Sequence, residues 1–182
     1  MLLETYRRSL KMPAAEEFFD LIFYRPAAYL CVLGFAKTPV TPNQITILSL
    51  IAGCIAAYEL SFGTYGAYIA AGICYATANI LDCADGQLAR IKKNGTPLGR
   101  LVDGIADYIS SIAIFLGIGF GLGTAGTSQW WLVVAAGVSS ALHAIKFDDV
   151  QGRFIAIVKD EKGFTSSEIE KYKTNIAQLQ RS

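Results

Sequence analysis

Four aspartates stand in two pairs, Asp82 with Asp85 and Asp103 with Asp107, in a sequence otherwise sparing of charge. The spacings are i,i+3 and i,i+4, so on helices each pair occupies one face. Seventeen residues, Gly86 to Val102, separate the pairs. That is enough for two helices to return as neighbours with the pairs facing each other. Four carboxylates gathered away from water repel strongly, so protons or cations must compensate them. An all-oxygen donor set selects hard cations, Mg2+, Mn2+ or Ca2+. No His or Cys stands at ligand spacing, which disfavours zinc. The residues between the pairs add to this. Gly86 and Ala89 are small and one turn apart, so a flat group can approach the helix closely. Arg90 sets a guanidinium beside the carboxylates, suited to bidentate phosphate contact. Gly99 opens the next helix one turn before Asp103. Metals beside a phosphate-binding arginine point to phosphoryl-type chemistry on a nucleotide or diphosphate.

The elements that must carry these residues are membrane spans. The chain has 182 residues, of which 53% are hydrophobic and 17% charged, with a net charge of +1 and a mean hydropathy of +0.39. Soluble domains carry about 25% charged residues. High apolar content with little net charge excludes disorder, and no basic surplus exists for nucleic acid. Uncharged runs cover Thr38–Tyr58, Leu60–Leu81 and Tyr108–Ile145, of 21, 22 and 38 residues. A spanning helix needs roughly 20 apolar residues. The pattern predicts an all-α, multi-pass transmembrane bundle with spans of about Asn43–Phe62, Tyr65–Asp82, Leu101–Leu122 and Gln129–Phe147. The stretch GLGTAGTSQ interrupts the longest run and makes it a hairpin, with Trp130 and Trp131 at an interface.

Three regions follow: residues 1–40 as N-terminus and interfacial helix, 41–147 as four spans, and 148–182 as a polar tail. Residues 18–36 contain Asp20, Arg25 and Pro26, a mixture that suits an amphipathic helix lying in the bilayer surface. In the tail, Ser167 with Glu170 makes a capping box, followed by Ile169, Tyr172, Ile176 and Leu179 at helical spacing. With four spans all 16 Lys and Arg fall on one side. The positive-inside rule makes that side cytoplasmic, and both termini with it. No compact apolar run marks a cleavable signal peptide. Cys31, Cys54, Cys74 and Cys83 read as small apolar fillers.

Asp82-x-x-Asp85-Gly86-x-x-Ala89-Arg90, then eight residues, then Gly99-x-x-x-Asp103-x-x-x-Asp107 resembles the signature of the CDP-alcohol phosphotransferase (phosphatidyltransferase) family at all eight fixed positions. Thr41-Pro42-Asn43-Gln44-Ile45-Thr46 is similar to the family's entry into its first span, and Arg25-Pro26 fits its interfacial helix. The resemblance covers roughly residues 20–150. It implies transfer of a substituted phosphate from a CDP-alcohol donor, foremost CDP-diacylglycerol, to an acceptor alcohol with release of CMP. It further implies two divalent metals, Mg2+ or Mn2+, held by Asp82, Asp85, Asp103 and Asp107, with Asp82 and Asp103 shared between them. Gly86, Ala89, Arg90 and Gly99 would bind the CDP moiety, and Asp107 would be the general base. A homodimer is implied on the same ground.

The resemblance also implies six spans where this sequence has four, so a chain truncated before two further spans is expected. A short member completed by oligomerisation and a non-catalytic remnant of the same fold are the other readings. Intramembrane prenyltransferases likewise set aspartate pairs and Mg2+ on a diphosphate, but the Asp-Gly and Ala-Arg steps and the eight-residue gap do not fit them. Lys92, Lys93 and Arg100 read as topology and lipid-attracting charge. Asp148 and Asp149 read as solvated helix-end charges, and Asn79 as a support for Asp82. The Gly and Ala of spans one and three read as packing surface.

Overall fold

A computed structural model describes Tyr6, Ser9, Leu10, residues 20–124, Gly126 and residues 129–179, with side chains through Val158. Phe18 and Phe19 of the expected interfacial helix lie outside the described residues. So do Arg7, Arg8, Lys11 and Arg181 of the basic clusters, and the side chains of the tail's capping box and apolar row.

The described elements are all helical. One π-helical turn, Asp20–Tyr24, leads into α1, Arg25–Phe35; α2 is Pro42–Leu60, α3 Tyr65–Lys92, α4 Pro97–Thr124 and α5 Trp130–Leu179. Local chemistry sets the starts. Thr41 caps α2 in a reciprocal box: its hydroxyl accepts from the Gln44 N–H, and Gln44 Oε1 accepts from the Thr41 N–H at 2.9 Å. Pro42 fills the first turn, where a missing N–H costs nothing. Thr64 caps α3 through the Ala67 N–H, and the Thr96 hydroxyl accepts from the Gly99 N–H at the start of α4.

Four described helices are long and apolar enough to cross a membrane: Pro42–Leu60, Tyr65–Lys92, Pro97–Thr124 and Trp130–Val158. Their order is the expected one, but their ends differ. The second span was expected to stop near Asp82, yet α3 continues to Lys92 because Ala84, Leu88 and Ile91 extend its packed face. The connection to α4 shrinks to residues 93–96. Lys93 ends α3 in the left-handed region, φ 52°, where the chain reverses. The backbone is helical on both sides of Ser167, so the capping box expected to start a new helix lies inside α5 instead.

The chain divides into two units, Met1–Ser140 and Ala141–Ser182. In the first, α2 packs against both α3 and α4, and α1 packs on α3. Ala28, Val32, Ile45, Cys83, Ala84 and Leu88 form the core where α1, α2 and α3 meet. The α2–α4 crossing uses absent side chains. A Cβ on Gly117 would strike the Ala57 carbonyl, one on Gly121 the Leu60 carbonyl, and one on Gly53 would come 2.8 Å from Ser110 Oγ. Small residues let helix backbones approach where lipid gives no hydrophobic driving force. The outward faces carry exposed Leu30, Ile47, Ile51, Ile73, Leu116 and Phe120, a surface suited to acyl chains.

Candidate metal and phosphate site

The extension of α3 puts Asp82, Asp85, Gly86, Ala89 and Arg90 on one continuous helix, which the short connection returns to α4 beside Gly99 and Asp103. Between Asp82 and Asp85, Ala84 is completely buried in the core, and Cys83 borders both the core and the cavity of the carboxylates. Carboxylate oxygens of Asp82, Asp85 and Asp103 lie within 4.8 Å of one another. Asp85 is buried and Asp82 and Asp103 half-buried. Three carboxylates so close are stable only with cationic or protonic compensation. Their oxygen-only donor set fits a hard divalent cation. Asp107 is one turn further along α4, exposed, and outside that close group.

All three carboxylates line a cavity of about 520 Å³, shared with Gly86, Ala89 and Arg90. A smaller hollow of about 70 Å³ adjoins it, and Gly99, Thr46 and Asn43 line that one. A Cβ on Gly86 would find only the Arg90 guanidinium, at 3.5 Å, so the helix surface there is open to a ligand. Gly99 is tighter, with Asn43 Oδ1 at 3.1 Å from an added Cβ. The expected CDP-binding residues thus share walls with the carboxylates.

The hydrogen-bond partners of several residues around the site were not read from the sequence. The Thr46 hydroxyl donates to Asp85 Oδ2, orienting that carboxylate from α2. Thr46 lies within the Thr41–Thr46 segment, yet nothing local says that its hydroxyl faces an aspartate on another helix. Lys92, read as topology charge, clamps the α1–α2 connection: its ammonium donates to the Thr38 and Val40 carbonyls, both at 2.7 Å. Arg100 lines both cavities. Arg90 Nε donates to the Ser9 carbonyl. Asn79 donates to the Tyr75 carbonyl of its own helix at 2.7 Å rather than supporting Asp82. In the second unit, Arg153 pairs with Asp149 at 2.7 Å on an exposed i,i+4 face, a solvated arrangement as read for Asp149.

Archaetidylinositol phosphate synthase of Pyrococcus horikoshii is 35% identical over 86 residues, covering 47% of this chain and 44% of that protein. Phosphatidylinositol phosphate synthase of Corynebacterium glutamicum is 30% identical over 148 residues, 79% of this chain and 60% of that one. Cholinephosphotransferase 1 of Gallus gallus is 30% identical over 125 residues, 69% and 36% respectively. The chain thus spans about half the length of the first two relatives. The sequence model of CDP-alcohol phosphatidyltransferases matches residues 39–179, which include every aspartate of both pairs, and the chain belongs to that family.

Proposed function

We propose that this protein is a membrane phosphotransferase of phospholipid biosynthesis. It moves a phosphatidyl or phospho-alcohol group from a CDP-alcohol, foremost CDP-diacylglycerol, to an acceptor hydroxyl and releases CMP. The observation that carries this reading is the close approach of Asp82, Asp85 and Asp103 on the wall of a cavity shared with Gly86, Ala89 and Arg90. In this reading Asp82, Asp85, Asp103 and Asp107 hold two divalent cations, Mg2+ or Mn2+. When bound, these supply positive charge to the diphosphate and to departing CMP. Gly86, Ala89 and Gly99 leave room for the cytidine, and Arg90 binds the diphosphate.

The acceptor oxygen attacks the phosphorus that bears the donor's alcohol. The bond from that phosphorus to the CMP oxygen breaks, and CMP leaves with the bonding pair. Asp107 takes the hydroxyl proton; its exposed position one turn from Asp103 suits a base that must meet an incoming alcohol. The site and both termini face the cytoplasm, α1 lies in the interface, and residues 148–182 form the cytoplasmic tail. Homodimerisation enters on the resemblance alone.

CMP release from CDP-diacylglycerol, with Mn2+ and a panel of acceptor alcohols, tests the reading. Release is expected to depend on one acceptor and to fall about 1,000-fold or more in Asp107→Asn, the scale of several kcal/mol of lost transition-state stabilisation. If no acceptor supports release, metal-dependent CDP binding decides. Binding without release means a catalytically incomplete or non-catalytic protein of the same fold, and no binding overturns the site.

A further inference from the structure

The two cavities share Asp85, Gly86, Ala89, Gly95, Arg100 and Asp103, and the larger one alone adds Arg25, Asp82, Cys83 and Arg90. Arg25 differs from the rest of that wall. It comes from the first residue of α1, not from the α3–α4 pair, and it lies outside the signature of eight fixed positions. A ligand that fills the nucleoside side and extends past Arg90 therefore meets a further guanidinium, beyond those of Arg90 and Arg100.

The backbone under Arg25 is held in an unusual way. Gln87, on α3, is completely buried, and its Nε2 donates to the Arg25 carbonyl at 3.0 Å. Its Oε1 is buried with no hydrogen-bond partner among the described residues. Leu88, next to it on α3, Ala84, one turn before it, and Ala28, one turn after Arg25 on α1, all belong to the apolar core. A leucine would satisfy packing there, whereas a half-satisfied amide is a net cost in such surroundings. The amide's one bond fixes the start of α1 against the helix that carries Asp82 and Asp85. Pro26, next in the chain, restricts the backbone further.

We propose that Arg25 is a phosphate-binding residue of this site and that Gln87 is its positioning residue. The inference rests on the proposed function and deepens it. The chemistry is guanidinium recognition of phosphate oxygens, bidentate and geometrically demanding. Those oxygens belong either to the donor diphosphate or to a phosphate on the acceptor.

The experiment uses the full chain in lipid nanodiscs with Mn2+, titrated with CDP, with CMP, and with inorganic phosphate after CMP loading. In Arg25→Ala, CDP is expected to weaken by about tenfold while CMP changes by less than about twofold, which assigns the donor diphosphate. Loss of phosphate binding to CMP-loaded protein with CDP unchanged assigns the acceptor. Arg25→Lys is expected to recover part of whichever affinity is lost. Gln87→Leu is expected to give the same pattern, weaker, at an unchanged unfolding temperature. Unchanged affinity for CDP and phosphate in Arg25→Ala overturns the proposal. So does uniform loss of all three ligands with a lowered unfolding temperature and no rescue by lysine, which makes Arg25 structural. The underlying reading is tested apart, by Asp103→Asn. If that variant keeps Mn2+-dependent CDP binding, the metal site is wrong whatever Arg25 does, and if the wild-type chain shows no such binding, both fall.

Discussion

The two ends of the α2–α3–α4 group are held in different ways. At the site end, polar bonds join the helices beside the apolar core of Ala28, Val32, Ile45 and Leu88: Thr46 to Asp85, Gln87 to the Arg25 carbonyl, and Lys92 to the Thr38 and Val40 carbonyls. At the far end, Gly117 and Gly121 let α4 rest on the carbonyls of Ala57 and Leu60, and the Thr124 hydroxyl reaches the Phe62 carbonyl at 3.2 Å. The difference follows from what each end contains. Carboxylates and a cavity exclude tight backbone contact, so side chains that cross the gap must hold the helices there. Where no site is needed, backbones approach directly, and van der Waals contact supplies most of the attraction. Substitutions should therefore separate stability from ligand binding according to the end they touch.

The largest effect is expected at the far end. Gly117→Val places side-chain atoms on the Ala57 backbone, which cannot yield as a flexible side chain would. A destabilisation of about 3 kcal/mol is expected, read as a lowered unfolding temperature in detergent. CDP affinity per folded molecule should stay unchanged; a selective loss of affinity would break the contrast between the ends. Thr46→Val should show the reverse. It removes the hydroxyl that orients Asp85, and partners of metal-binding carboxylates are worth about 10–100-fold in metal affinity. Mn2+ titration followed by spectroscopy checks this, with little change in unfolding temperature.

Lys92→Met takes away both bonds to the α1–α2 connection while keeping the length of the side chain. A loss of about 1–2 kcal/mol is expected, since each bond has a charged donor but is partly exposed to solvent. If chemical denaturation shows no change, the clamp is a surface contact and the site end depends on Thr46 and Gln87. The smallest effect is expected at Lys93, which sits at φ 52°. Lys93→Gly relieves the left-handed strain and should raise stability by about 0.5–1 kcal/mol, sharpening the turn that returns α4 to the carboxylates.

Sequence alone determined what depends on short-range period and composition. Uncharged runs and helical spacing determined the number and order of the spans, because a bilayer demands long apolar helices with internally satisfied backbones. The i,i+3 and i,i+4 spacings placed each aspartate pair on one face, and the eight fixed positions gave the family. The end of α3 was less legible. No Pro or Gly marks Asp82 as a boundary, and only packing of Ala84, Leu88 and Ile91 carries the helix on to Lys92.

Tertiary structure alone decided which groups from distant segments meet. It brought carboxylate oxygens of Asp103 within 4.8 Å of those of Asp82 and Asp85. It turned Lys92 from a topology charge into a clamp, kept Asn79 on its own helix, and set Gln87 beneath Arg25, 62 residues away. The physical reason is the same each time. A helical period fixes the face on which a side chain stands, but not the helix that will cover that face or the height at which it crosses. Close contact between Gly117 and Ala57, and the bend at Lys93, set those crossing heights.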